Sequence, residues 1–316
     1  MLFSVITAAF NRSHTLPALF HSLQRQQTEL EWIVVDDGST DGTKDLINDM
    51  AATADFRVSY LSQPNSGKHV AMNRGIAAAR GEFAALADSD DTLLDGALPA
   101  LHTAWGQIPP KNRDRYVGVT GRCTTGAEVL GSPIPGGHLD ASWQEAQYRH
   151  RLRGERWGMQ RLDVLLRHPF PERPDQRFVA EGAVWRAIGR NYLTRYIETP
   201  VRFYRTTGAD QLTRKPFREV AAGQREWHLS VLREDIEFCG DAPDLVAASA
   251  LHYTRASLHE GVPLRRQLSA LGERRARVLC AGLLPAGVMF YLRDRLRARR
   301  TSRTSTSGPV PENPGT

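Results

Sequence analysis

Five aspartates fall in two tight groups early in the chain: Asp36-Asp37 in WIVVDDGSTDGT, and Asp88, Asp90 and Asp91 in ALADSDD. Carboxylates set this closely repel one another and raise their own pKa values unless something compensates them. A divalent cation is the simple remedy. Hard oxygen ligands suit Mg²⁺ or Mn²⁺, which keep several waters and accept phosphate oxygens. The implied chemistry is the handling of a phosphorylated ligand at an acidic site whose sign a metal reverses. Each group alone has a plainer meaning: Asp36-Asp37 before Gly38-Ser39 is also a turn and cap, and DSDD is also an N-cap. Two groups at adjacent strand ends favour a ligand site. Three further residues stay open from their types alone. Lys68 is a loop lysine or a ligand contact, Asn73 a local hydrogen-bonder or a ligand contact, and Phe10 a core residue or a stacking platform.

These residues need a frame that gathers them. FSVITAA (3–9) is a continuous β-rich run, as expected of a buried parallel strand. WIVVDD (32–37), FRVSYL (56–61), EFAALA (82–87) and YVGVT (116–120) read as further strands. Helices are expected over 15–26, where Leu16, Leu19, Phe20 and Leu23 share a face, and over 43–52, 67–79 and 95–105, with Thr40 or Asp41 capping the second. This βαβα rhythm predicts an α/β fold: a Rossmann-like, mostly parallel sheet with helices on both faces. Ligands then bind beyond the carboxyl ends of the strands, where Thr7–Arg12, Asp36-Asp37, Lys68 and the DSDD group all fall. Residues 121–140, rich in Gly, Pro and Thr, read as one long loop. Residues 217–300 read as mainly helical, and the last residues as a disordered tail. The expected division is 1–125, 126–215, 216–300 and 301–316.

The chain has 316 residues, 41% of them hydrophobic, and a formal charge of +6. That is enough to bury a full core and excludes collagenous or disulfide-stapled classes. Residues 1–100 carry 7 basic and 13 acidic side chains, whereas residues 273–303 carry 9 and 2. A uniform basic groove for nucleic acid is not what this describes. Cys123, Cys239 and Cys280 are far apart and form no CxxC, so a reducing, cytoplasmic compartment is expected. The apolar N-terminus lacks a basic n-region and reads as a strand, not a signal peptide. Neither GxGxxG nor GxxxxGK[ST] follows the first strand, which argues against a dehydrogenase or a P-loop kinase.

VITAAFNR, VVDDGSTDGT, NSGKHVAMNRGIAAARGEF and ALADSDD, in this order, resemble the family 2 glycosyltransferases with the GT-A fold. Residues 3–95 carry that resemblance, and 96–205 match more loosely. It implies a nucleotide-sugar donor, UDP-linked by preference, inversion at the anomeric carbon, and Mn²⁺ or Mg²⁺. By position, Thr7, Phe10, Arg12 and Asp37 would hold the base and ribose, with Asp37 at the base edge and Phe10 under the ring. Lys68 and Asn73 would lie near the ribose and diphosphate. Asp88-Ser89-Asp90 corresponds to the family's DxD motif, with Asp88 facing the donor and Asp88 and Asp90 forming the metal site; Asp91 would support the turn.

A sugar hydroxyl is a poor nucleophile near neutral pH, so the transfer needs a base. RFVAEGAVW resembles the family segment whose acidic residue opens a helix beneath the acceptor, which makes Glu181 the candidate. Its apolar flanks suggest burial; a plain helix-start Glu is the alternative. Asp163, Glu172 and Asp175 are weaker candidates. Arg202, Arg205 or Arg214 are surface arginines, which are common in this chain, or contacts to diphosphate or an anionic acceptor. Trp143, Trp157 and Trp185 are sugar-stacking or, for at least two of them, core residues. The expected acceptor is a glycan or lipid-linked hydroxyl in bacterial surface-glycan assembly. A non-catalytic nucleotide-sugar or glycan-binding scaffold is the alternative. Finally, basic clusters flank VLCAGLLPAGVMFYL (278–292), fifteen uncharged residues broken by Gly282, Pro285 and Gly287. That is short for a span. Residues 273–303 suit either an anionic membrane surface, at about 1 kcal/mol per basic residue, or a helix pair packed on the protein.

Overall fold

Strand β1 (Phe3–Ala9) is buried almost throughout, and its residues alternate between two cores. Phe3 and Val5 join Trp32 and Val34 on one side of the sheet, while Ile6 joins Ile33 and Val35 on the other. Strand β2 (Leu30–Asp36) lies parallel to β1 in the register Phe3↔Leu30 to Ala9↔Asp36. Strands β3 (Arg57–Ser62) and β4 (Phe83–Leu86) extend this parallel block on its two sides. The chain was obtained as a computed structural model that describes residues 1–172, 179–205 and 217–304, with side chains through 297. It divides into two compact units, Met1–Gln211 and Leu212–Thr316.

In the first unit, helices α1 (Leu16–Gln24), α2 (Thr43–Thr53) and α4 (Ala97–Gly106) cover one face of the sheet. Helices α3 (Lys68–Ala78), α5 (Leu162–Arg167) and α6 (Gly182–Gly189) contribute to the core on the other. Leu16, Leu19, Phe20 and Leu23 are buried as their helical spacing predicts. Helix α3 sits unusually close to β1: a Cβ on Gly75 would lie 2.3 Å from Cγ2 of Ile6. Only glycine permits that approach.

Beyond β4 the sheet becomes mixed. The additional strands are β5 (Thr92–Leu93), β6 (Tyr116–Thr124), β7 (His138–Ala141), β8 (Arg156–Arg161) and β9 (Leu193–Phe203). The order is β3-β2-β1-β4-β8-β6-β9-β5, with β7 on β9. The parallel pattern expected from sequence thus holds for four strands, and β8 then enters antiparallel between β4 and β6. The expected loop over 121–140 is shorter than its composition suggests. Strand β6 runs on to Thr124, and β7 begins at His138. Arg122 fastens what remains, donating to the carbonyls of Val129, Leu130 and Gly131 at 3.2, 3.1 and 2.6 Å.

The second unit is helical: α7 (Phe217–Glu234), α8 (Pro243–His259), α9 (Leu264–Ala270) and α10 (Arg274–Thr304). Leu232, Val246, Ala250, Tyr253 and Ala276 form its core. A polar inset crosses it. Arg255 grips Asp294 at 2.7 and 2.8 Å, and its guanidinium lies 3.7 Å from the Phe217 ring centre. The rings of His228 and His252 stack at 5.3 Å. Helix α10 runs unbroken through Pro285 where sequence suggested interruption. Proline removes the hydrogen bond to the Ala281 carbonyl, and both residues lie on an exposed face. By length and composition alone, Arg274–Arg297 would suffice to cross a membrane, more than its fifteen uncharged residues suggested.

Candidate functional site

The carboxyl ends of β1 to β4 form one edge, and the expected aspartates line it. Four of the five find compensation within the protein. Asp36 accepts from the Ser39 N–H at 2.8 Å and the Tyr60 hydroxyl at 2.6 Å. Asp37 is buried, with Oδ1 accepting from Gln63 Nε2 and Ser66 N–H and Oδ2 from Gly67 N–H, all at 2.8 Å. Gly67 has φ +101, which turns its N–H toward that carboxylate at the start of α3. Asp91 pairs with Arg202 at 2.9 Å, both buried, and accepts from the Asp88 N–H at 2.9 Å. The premise of five uncompensated charges therefore does not hold. Asp90 accepts no hydrogen bond among the described residues and stays partly exposed.

Lys68, the first residue of α3, is the centre of the arrangement. Its ammonium contacts Oδ1 of Asp88 and lies 2.5 Å from Oε1 of Glu181. The side chains of Lys68, Asp88 and Glu181 are 30, 44 and 43% exposed, so solvent and small ligands reach all three. Burial works against the ammonium, but the two carboxylates hold its pKa above the usual lysine range. Burial likewise works against the Asp88 carboxylate, and Lys68, with Arg202 and Arg12 nearby, holds its pKa below the usual carboxylate range. Among the described residues Glu181 has no apolar enclosure, being partly exposed. Phe178 lies outside the described residues, and Glu181 sits at the start of α6 with an ammonium beside it.

The other expected residues divide clearly. Phe10 is 46% exposed at the end of β1, so it is not a core residue. Arg12 lies near enough to Asp88 to stabilise its charge. Alternation along β1 turns the Thr7 side chain into the core, where its hydroxyl accepts from Trp32 Nε1 at 3.0 Å. Asn73 is directed at the chain beyond α5, donating to Phe170 O at 2.9 Å and Glu172 at 2.7 Å and accepting from Phe170 N–H at 2.8 Å. Glu172 is therefore tied to α3, whereas Asp163 is spent on Arg161 and Arg167. Arg202 is neither on the surface nor free: it is buried against Asp91 and Cys123. Asp175 and Arg214 lie outside the described residues. Trp157 is core, donating to Leu86 O at 2.6 Å, and Trp185 packs against the second core.

The sequence did not reveal how the loops after β1 and β2 are joined. Asn11, at φ +55, accepts from Thr40 N–H, and its own N–H bonds Ser39, both at 2.8 Å. Asp41 binds Ser13 and Thr43 together. Its burial is slight, and these hydrogen bonds take its pKa down to about 2. The loops after β1 and β2 are thus stitched into one wall. An Asn just past a strand end, where left-handed backbone is tolerated, was the available signal.

Residues 4–127 match the family model described as Glycosyl transferase family 2. The chain is 37% identical over 123 residues to the GalNAc(5)-diNAcBac-PP-undecaprenol beta-1,3-glucosyltransferase of Campylobacter jejuni, covering 38% of this chain and 37% of that protein. It is 33% identical over 119 residues to glycosyltransferase GlyG of Streptococcus pneumoniae, covering 37% and 38%. The matches thus span well under half the length of these curated relatives. Among solved structures, S. aureus TarS 1–349 in complex with UDP-GlcNAc superposes with a TM-score of 0.57 at 16% identity, over 96% of this chain and 92% of that one. TarS itself gives 0.59 at 18%, over 92% and 54%. At these identities the likeness establishes the fold, which is GT-A.

Proposed function

We propose that this chain, whose residues 4–127 match the family 2 glycosyltransferase model, moves a sugar from a nucleotide-diphosphate donor to a hydroxyl with inversion. One observation carries this: Lys68 draws the DxD carboxylate Asp88 and the helix-opening Glu181 to one solvent-reachable point at the carboxyl edge of the sheet. The acceptor oxygen attacks the anomeric carbon as the bond to the diphosphate breaks. Glu181 takes the hydroxyl proton, on Oε2 while Lys68 holds Oε1. Phe10 stacks on the base, and Arg12 and Lys68 face the donor's negative charge.

The residues fit a divalent cation. Asp90 offers a carboxylate that takes no hydrogen bond among the described residues, Asp88 lies two residues away, and diphosphate and water would complete a hard-oxygen shell. Mn²⁺ or Mg²⁺ held there would supply charge compensation for the leaving diphosphate. A UDP donor is favoured because TarS 1–349 has been solved with UDP-GlcNAc. A lipid-linked glycan acceptor on the cytoplasmic side is favoured because the Campylobacter relative acts on an undecaprenol-linked one.

The test is transfer by Asp90→Ala and Glu181→Gln, with circular dichroism to confirm folding. Each should lose transfer by about 10²-fold or more. A fully active Glu181→Gln removes it as the base. Thermal stabilisation by UDP-, GDP- and dTDP-sugars, with and without metal, identifies the donor. Binding without turnover of any donor would favour a scaffold.

A further inference from the structure

Helix α10 has two unlike faces. On one, Ala276, Cys280 and Gly287 are buried, and a Cβ on Gly287 would come within 2.7 Å of Thr254 on α8. This face is closed by its own unit. On the other, Val278, Met289, Leu292 and Leu296 are 64, 59, 50 and 61% exposed. With exposed Pro285 they fall within about 60° of arc and form a stripe about 27 Å long. Arg274, Arg275, Arg277, Arg293, Arg295 and Arg297 are exposed beside and beyond it. Near the C-terminal end a shallow cleft is lined by Met289, Leu292 and Leu296 together with Arg293 and Arg297.

We propose that this stripe lays α10 in the plane of an anionic lipid bilayer, with its apolar side chains among the acyl chains and its arginines at the headgroup phosphates. An apolar face framed by cationic side chains whose stems are themselves apolar is the form such helices take. Charge selects this occupant over a second copy of the chain. Two stripes packed together would set arginine rims against each other, whereas lipid phosphate neutralises them. The internal face argues for lying in the plane over crossing it. Asp294 is held by Arg255 and His259 from α8, and a crossing α10 would leave these charges to hydrocarbon or without partners.

The test uses the full chain and sedimentation with vesicles of phosphatidylcholine, with or without about 30% phosphatidylglycerol, at about 0.1 M NaCl. Binding is expected only with the anionic lipid, and high salt or alkaline carbonate should release it. Leu292→Glu at one end and Val278→Glu at the other, each on an exposed site, should weaken binding at least tenfold with unchanged circular dichroism. Arg293→Gln with Arg297→Gln should do the same, at about fivefold per arginine. Unchanged binding in both Glu variants, equal binding to neutral vesicles, or retention through carbonate would overturn the proposal. So would self-association that Leu292→Glu abolishes in sedimentation equilibrium.

Discussion

Lys68 donates to Oε1 of Glu181 at 2.5 Å, joining residues 113 positions apart in the chain. The same ammonium contacts Asp88, so a single cation separates the carboxylate proposed for the donor from the one proposed for the acceptor. The ammonium offsets the repulsion between two carboxylates drawn to one point.

Lys68→Met should therefore lower kcat/KM by about 100-fold, with Lys68→Arg recovering part of it. The pH profile gives a second readout. Burial alone raises the Asp88 carboxyl, and Lys68 is the main group holding it low. Without that ammonium the acid limb should move to higher pH. An unmoved limb would mean Lys68 serves only the fold.

The buried Arg202–Asp91 pair should govern stability. Arg202→Met leaves an uncompensated carboxylate and should cost about 3–5 kcal/mol, read as a fall in Tm. Adding Asp91→Leu to that variant should restore much of it. Turnover should not return, because Asp91 also holds the Asp88 N–H and with it the DSDD turn.

The stacked histidines should make the helical unit acid-sensitive. Burial, then the neighbouring His252, depresses His228 to about 3, and burial lowers His252 as well. Arg255 adds to the effect on His252, while Asp294 opposes it. Both folded values lie below the unfolded one near 6.5. The stability they contribute is present above that value and is lost as pH falls toward about 3. Urea midpoints should fall between about pH 7 and 5, before most carboxylates protonate, and His228→Phe with His252→Leu should flatten the curve.

Much of this was legible from the sequence. The strands and helices of the first hundred residues follow from β-rich runs and helical spacing, because that block is regular and parallel. The mixed half was less so: β8 enters antiparallel between β4 and β6, a pairing that local pattern does not encode. Placement of Asp36, Asp37 and Asp88 at one edge was also readable. Their partners were not, since Tyr60, Gln63, Arg202 and Lys68 are recruited from other elements. The inward turn of Thr7 was not legible either, because a strand's two faces differ by one residue. The burial of Arg202 was not legible because a buried arginine and a surface one look alike in sequence.

The tight seat of Gly75 on Ile6 has a mechanical meaning. Helix α3 is a beam pinned there, with Asn73 fixing Phe170 beside the pivot and Lys68 projecting about 10 Å beyond it. A tilt of about 5° at the pivot would swing Lys68 by about 1 Å, a displacement that can cost about 10² in rate. The leverage of the ammonium over both carboxylates is thus set by one missing methyl group in the core.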